Sequence, residues 1–165
     1  MPRRITVLLA AVVGLCLVAV APAAAVERIV IRGGTVFKAG QYAKDNSRFT
    51  PQNLTVSSGE RVRVRDRSTD EAPHTLSLVK RRQLPRSFNC PACSAIEASH
   101  EINDETGEPG KPLVNVGAAG FNRPGDSIVI NPGGRVSFDV TADAGKTLYY
   151  LCIIHPWMQG RINVD

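Results

Sequence analysis

Short runs of β-branched and apolar residues alternate with turns containing Gly and Pro from residue 27 to the end of the chain, and no long stretch has the 3.6-residue period of a helix. The pattern is clearest in Arg61–Arg65, where Val62 and Val64 point to one face and the arginines to the other. Asn131–Gly134 is a strong turn signal between two such runs. Together these features predict an antiparallel all-β sandwich or barrel.

The predicted strands are Glu27–Phe37, Asn53–Val56, Arg61–Arg65, Thr75–Val79, Ser127–Ile130, Val136–Val140, Leu148–Ile153 and Arg161–Val164. Between the first four and the last four predicted strands, Lys80–Leu113 is poor in strand-forming residues. It is predicted to form a long loop, with one helical turn around Ser94–Glu101. A loop of this length in a compact domain is usually functional or mobile.

Met1–Ala25 has the features of an export signal. Arg3 and Arg4 supply a positive start, Ile5–Val20 is apolar and uncharged, and Ala23–Ala25 provides the small residues after which a signal peptidase cleaves. The prediction is therefore a cleaved signal followed by one exported domain.

Cleavage after Ala25 leaves a domain of residues 26–165, located in the periplasm, at the cell surface or in the medium. The alternative is an uncleaved membrane anchor, because Ile5–Val26 carries no charge and is long enough to span a bilayer. Contact with a membrane is expected only in that case. The net charge of +5 falls by two when Arg3 and Arg4 leave with the signal, which is too weak to indicate nucleic-acid binding.

Three of the four cysteines follow the signal: Cys90, Cys93 and Cys152. An odd number in an oxidising compartment leaves one thiol that needs a reason to stay reduced, and ligation of a metal is such a reason. A disulfide between Cys90 and Cys93 is the favoured interpretation. A redox dithiol and an auxiliary hook that collects the metal for a main site are the alternatives.

The residues best suited to bind a metal lie near the C-terminus, where Cys152, His155 and Met158 follow one another at intervals of three on a predicted turn. His74, preceded by a proline, offers a second imidazole upstream. Two His, one Cys and a weak Met form the donor set of a blue-copper electron-transfer site. The soft sulfurs stabilise Cu(I), whereas the imidazoles suit Cu(II).

At these residues the chain resembles the cupredoxins, small blue-copper proteins with a Greek-key β-sandwich. The spacing of the ligand loop, with Pro156 directly after His155, is most similar to that of amicyanin/plastocyanin-like proteins. The resemblance covers roughly residues 48–79 and 114–165, and leaves 80–113 as an inserted loop. It implies one type 1 copper, bound by the ligands His74, Cys152, His155 and Met158.

The resemblance also implies an Asn on the strand before the first ligand histidine, and Asp66 occupies that position. A carboxylate cannot donate a hydrogen bond as an amide does, so we expect Ser68 or Thr69 to help link the ligand loops. Pro156 is the other residue expected to support the ligands.

The imidazole edge of His155 is expected to reach the surface beside Trp157, which makes Trp157 the predicted contact for a redox partner. The function this implies is that of a monomeric carrier that moves single electrons between envelope redox proteins and is not an enzyme. The alternative is copper delivery, storage or detoxification without obligatory electron transfer.

A structural zinc site of Cys90, Cys93, Cys152 and His155 is less favoured, because it leaves His74 and Met158 without a role. Two further features are interpreted as surface structure. The arginines from Arg61 to Arg67 are expected to form a solvated strand face paired with neighbouring acids, with docking to an acidic partner as the alternative. His100 is expected to be a solvated histidine.

Overall fold

The computed structural model describes residues 27–103 and 105–165, apart from the side chains of Glu27 and Arg28. The predicted export signal, Met1–Ala25, lies outside the described residues. A 3-10 turn occupies Arg81–Gln83, and a helix, α1, occupies Pro91–Ser99. The strands are β1 (Glu27–Arg32), β2 (Thr35–Lys38), β3 (Tyr42–Asp45), β4 (Arg48–Thr50), β5 (Asn53–Val56), β6 (Arg61–Asp66), β7 (His74–Val79), β8 (Leu113–Val114), β9 (Ser127–Ile130), β10 (Arg135–Asp139), β11 (Thr147–Leu151) and β12 (Gln159–Val164).

Two sheets form the body of the molecule. One has the strand order β10-β6-β1-β4 and the other the order β5-β12-β11-β7-β9-β8. Each contains one parallel pair, β1 with β6 and β12 with β5, among antiparallel neighbours. The chain crosses from the first sheet to the second between β4 and β5, through Pro51 and Gln52. This arrangement is a Greek-key β-sandwich, and the predicted all-β fold class is confirmed.

The two sheets share one apolar core, to which each contributes alternate residues. In β6, for example, Val62 and Val64 are fully buried while the arginines between them are exposed, as the period of two predicts. Leu76, Leu78 and Ile162 enter the same cluster from the second sheet. The sandwich is therefore held together by side chains that both sheets bury at their interface.

β7 is buried on both faces, which is unusual for a strand of a two-layered sandwich. Its outer side is covered by the chain between β7 and β8, where Cys90, Cys93 and Ile96 of the α1 region cluster with Val79 and Leu151. The helical turn predicted around Ser94–Glu101 overlaps α1 but begins three residues too late. This segment acts as a cover for the second sheet.

The predicted strand Glu27–Phe37 is wrong as a single element, because β1 ends before Gly33 and a separate hairpin of β2 and β3 follows. Gly33 and Gly34 have φ values of 95° and 149°, which residues other than glycine rarely adopt. The turn they form directs the hairpin away from the first sheet, towards the loop between β6 and β7. There Thr69 N–H donates to the Gly33 carbonyl at 2.8 Å.

The arginine face of β6 is only partly paired. Arg61 forms a bidentate ion pair with Asp139 on β10, at 2.7 and 3.0 Å. Arg65, in contrast, lies directly opposite Arg135 in the register, and Arg63 lies opposite Ser137. Across the β6–β10 pair, the expected pairing with acids therefore holds for Arg61, whereas Arg63 and Arg65 face Ser137 and Arg135.

Across residues 27–103 and 105–165, no helix is both long enough and apolar enough to cross a membrane.

Gly160 gives a test of the packing between β11 and β12. It lies opposite Tyr150, and a Cβ atom there would overlap the Tyr150 ring and the carbonyl of Gln52. We expect Gly160→Ala to lower the free energy of unfolding of the metal-free protein by about 1–3 kcal/mol in urea denaturation. Arg161→Ala, on the exposed side of the same strand, is the matched control and should change it by less than about 0.5 kcal/mol.

Candidate metal centre

Three potential ligand atoms converge at one end of the sandwich. Sγ of Cys152 lies 3.7 Å from Nδ1 of His155 and 4.0 Å from Nδ1 of His74, and the two imidazole centroids are 4.8 Å apart. Cys152 and His74 are fully buried, and His155 is only 7% exposed. Residues separated by up to 81 positions in the sequence thus form one compact cluster.

The strand order brings these side chains together. β11 pairs with β7 so that Leu151 lies opposite Ser77, which carries the residue after β11, Cys152, towards the start of β7 at His74. His155 and Met158 follow in the connection from β11 to β12. In this connection Met158 N–H donates to the His155 carbonyl at 2.8 Å and Cys152 N–H donates to the Met158 carbonyl at 3.0 Å.

Met158 belongs to the same loop and to the same core cluster as Cys152, with its side chain fully buried. A buried thioether in the same loop and core cluster as the Cys152 thiolate completes the Cys, His, His and Met donor set that the spacing predicts. The residues predicted as ligands are therefore brought to one end of the fold.

The spacing of the donor atoms fits a metal ion. A metal bonded to a thiolate at about 2.3 Å and to an imidazole nitrogen at about 2.0 Å holds those atoms roughly 3.5–4 Å apart. The observed separations of 3.7 and 4.0 Å agree with this requirement. With two imidazoles, one thiolate and a thioether, the metal that the set suits is copper.

Burial governs the protonation of Cys152 and His74 in the metal-free protein. Burial raises the pKa of the Cys152 thiol, although the hydrogen bond from the Thr75 backbone acts in the opposite direction. Burial, assisted by the nearby His155, lowers the pKa of His74. The imidazole of His74 is therefore neutral and ready to bind, and metal binding displaces a proton from Cys152.

Thr75 links the two ligand loops and was not predicted from the sequence. Its backbone N–H donates to Cys152 Sγ at 3.3 Å, and its hydroxyl oxygen accepts from Ile153 N–H at 3.0 Å. One residue beside the first ligand thus holds both the sulfur and the backbone that follows it. Contacts of this kind fix the direction of a ligand before the metal arrives.

Asp66 is buried and organises the loop that leads to His74. Its carboxylate accepts from Ser68 N–H at 2.7 Å and from Gly133 N–H at 3.0 Å. Ser68 in turn places its hydroxyl 3.2 Å from Nε2 of His74. This contact supports one ligand within its own loop, whereas the link between the two ligand loops that was expected of Ser68 or Thr69 comes from Thr75. Thr69 instead donates to the Gly33 carbonyl at 3.2 Å.

A buried chain of polar side chains connects Thr75 to α1. Ser77 Oγ donates to Thr75 Oγ1 at 2.9 Å and lies 2.6 Å from Ser127 Oγ. His100 Nε2 lies 2.8 Å from the same Ser127 oxygen, and its Nδ1 contacts the Lys111 carbonyl. The expectation that His100 is solvated is therefore wrong: it is fully buried and supplies a partner for polar groups on the covered face of β7.

The surroundings of His155 also differ from the expectation. Its Nε2 lies 3.6 Å from Oδ2 of Asp45, at the end of β3, so the imidazole edge is covered and does not form the surface. Trp157 remains 40% exposed, with its ring 5.2 Å from that of His155 and 5.6 Å from that of Phe88. Pro156 is buried, and its carbonyl accepts from the Gln159 side chain at 2.8 Å.

Cys90 and Cys93 are joined by a disulfide at the start of α1. Their sulfurs are therefore not thiolates, and they lie outside the cluster that contains Cys152 and His155. The alternative of a Cys3His zinc site loses two of its four ligands. Cys152 is the free cysteine among residues 27–103 and 105–165.

No protein-family model matches the chain, and no curated protein matches it either. Among solved structures, the purple cupredoxin from Nitrosopumilus maritimus is 17% identical over 84% of this chain and 99% of its own, with a TM-score of 0.45. Auracyanin A from Chloroflexus aurantiacus is 20% identical over 84% and 99%, with a TM-score of 0.44. An amicyanin variant in its reduced Cu(I) form is 15% identical over 87% and 85%, also with a TM-score of 0.44.

These likenesses are distant, and the class of the protein follows from its own strand order and donor cluster. The described residues form a Greek-key β-sandwich that carries the His, Cys, His and Met donor set of a type 1 copper site at one end. The resemblance predicted from the ligand loop is thereby confirmed in fold and in donor set.

Thr75→Val tests the link between the ligand loops, because it removes the hydroxyl and keeps the shape of the side chain. Ile153 N–H and the Ser77 hydroxyl lose their acceptor in a buried site. We expect the free energy of unfolding of the metal-free protein to fall by about 1–3 kcal/mol in urea denaturation. Thr55→Val, on the exposed face of β5, is the control, and an equal effect of both variants would contradict the assigned role.

Proposed function

We propose that the protein is an exported type 1 copper protein that carries single electrons between redox partners of the cell envelope. The observation that carries this proposal is the buried cluster of Cys152, His74 and His155, whose ligand atoms lie within 4.8 Å of one another. Bound copper would supply the one-electron couple between Cu(II) and Cu(I). Export rests on the sequence of the first 25 residues, and the carrier acts as a monomer without enzymatic turnover.

The chain's own contribution is to hold the donors in one arrangement. Thr75 fixes the sulfur of Cys152, Ser68 contacts the outer nitrogen of His74, and the short loop that contains His155 is closed by its own backbone hydrogen bonds. Because these contacts are made within the protein, little has to move when the charge of the metal changes. A low reorganisation energy of this kind favours fast electron transfer.

Copper delivery or storage is the alternative function, and the burial of the donors speaks against it. A protein that hands copper on needs ligands that an acceptor can reach, whereas His74 and Cys152 have no exposed surface. We therefore expect slow loss of copper together with a fast, reversible current in voltammetry. Rapid exchange of copper with a chelator and no reversible current would favour delivery.

The direct test is the colour of the protein. Adding Cu(II) to residues 26–165 with Cys152 reduced should produce an intense visible charge-transfer band from thiolate to copper. Cys152→Ser should remove the band while the circular dichroism of the sandwich is retained, because the serine fits the same buried position. A band that persists in this variant would show that the thiolate is not a ligand.

We propose that a redox partner docks on an apolar patch at this end of the molecule. The patch consists of Trp157, Phe88 and Ile154, which are 40%, 82% and 43% exposed. Trp157 connects the patch to the centre, since its ring packs edge-on against the buried ring of His155. Transient redox complexes bury little area, and a single aromatic anchor can dominate such an interface.

Trp157→Ser should slow electron self-exchange of the copper-loaded protein by at least about tenfold, measured by NMR line broadening in mixtures of the two redox states. The visible band and the copper affinity should stay unchanged, because Trp157 is not a ligand. The control is Leu113→Ser, which removes an exposed apolar side chain on β8, outside the patch. An unchanged self-exchange rate in Trp157→Ser would show that the docking surface lies elsewhere.

A further inference from the structure

The imidazole of His155 contacts a different group on each side. Nδ1 faces Cys152 Sγ at 3.7 Å, in the donor cluster, whereas Nε2 faces Asp45 Oδ2 at 3.6 Å. Asp45 is the last residue of β3, so the carboxylate comes from the N-terminal hairpin rather than from the ligand loops. The hairpin thus contributes a charged group to the surroundings of the proposed metal centre.

The Asp45 carboxylate is held in place by donors on both of its oxygens. Oδ1 accepts from Ser47 N–H at 2.7 Å, and Oδ2 accepts from the Thr35 hydroxyl at 3.0 Å. Asp70 ties the same two residues to the loop before His74, because it accepts from Thr35 N–H at 2.6 Å and from the Ser47 hydroxyl at 2.7 Å. The position of the negative charge beside His155 is therefore built into the fold.

We propose that Asp45 is a positioning residue for His155. Its carboxylate keeps the imidazole proton on Nε2, so that Nδ1 is free to bind copper. Its negative charge also favours Cu(II) over Cu(I). A neutral imidazole carries one proton, and a carboxylate beside Nε2 selects the form with the proton on that side. Carboxylates that contact the outer nitrogen of a metal-bound histidine orient the ring and make it a stronger donor. This inference rests on the proposed copper site.

A second metal site made of Asp45, Asp70 and His155 is the competing interpretation, since their ligand atoms lie within 4.8 Å of one another. The hydrogen bonds argue against it, because all four carboxylate oxygens of Asp45 and Asp70 already accept from Thr35 or Ser47. Each oxygen therefore already has a partner within the fold, and neither carboxylate needs a cation to be satisfied. The network is therefore that of a fixed structural anchor.

The test compares Asp45→Asn with the wild type in the copper-loaded protein. At a fixed applied potential, the ratio of Cu(I) to Cu(II) should rise on the order of tenfold in the variant, because a nearby negative charge is lost. Asp143→Asn removes one charge from an exposed turn and should leave the ratio unchanged. If both variants change the ratio equally, or neither does, Asp45 does not act through His155.

A second measurement uses the metal-free wild-type protein and does not depend on the folding of a variant. The nitrogen chemical shifts of the neutral His155 ring should show the proton on Nε2, and a ring protonated mainly on Nδ1 would overturn the proposal. Stoichiometric binding of added Zn²⁺ to the copper-loaded wild type, lost in Asp45→Asn, would also overturn it in favour of a second metal site. Absence of the visible band in the wild type would instead contradict the copper site itself.

Discussion

The antiparallel pairing of β7 with β11 is the constraint on which the centre depends. The register places Leu151 opposite Ser77, and this alone decides that Cys152 arrives beside Thr75 and His74. A slip of one residue would turn every side chain of β7 to the other face, which would carry His74 out of the core. Burial on both faces of β7 opposes such a slip, because one face packs apolar side chains into the shared core and the other forms buried hydrogen bonds.

The two faces of β7 explain why the strand carries polar residues where a sandwich would expose them. Leu76 and Leu78 enter the shared core, while Thr75 and Ser77 point to the other side. The segment that contains α1 covers that side, and His100 supplies the hydrogen-bonding partner that buried hydroxyls require. The cover and the polar chain are therefore coupled, because the cover keeps water from these hydroxyls and His100 takes the place of that water as a partner.

The part of the centre that could be predicted from the sequence is the part that is local. Cys152, His155 and Met158 lie within one turn, so their spacing alone shows that they share a site. His74 was suggested by its proline and by the resemblance. The strand periodicity also placed the core residues of β6 correctly.

The parts that could not be predicted depend on contacts between distant segments. Asp45 lies 110 positions before His155, and nothing in Tyr42–Asp45 indicates that this short strand reaches the ligand loop. The role of Thr75 depends on the register with β11, and the burial of His100 depends on where α1 packs. A single sequence contains no periodic signal for contacts of this kind.

Two segments therefore enclose the centre from different directions. The hairpin of β2 and β3 covers His155, and the chain between β7 and β8 covers the outer face of β7 and contributes Phe88 beside Trp157. With His155 covered by Asp45, the exposed ring of Trp157 is what connects this ligand to the surface. An electron that enters from a docked partner would then pass the edge-on contact between these two rings. The negative charge of Asp45 beside Nε2 of His155 would oppose its arrival at the copper.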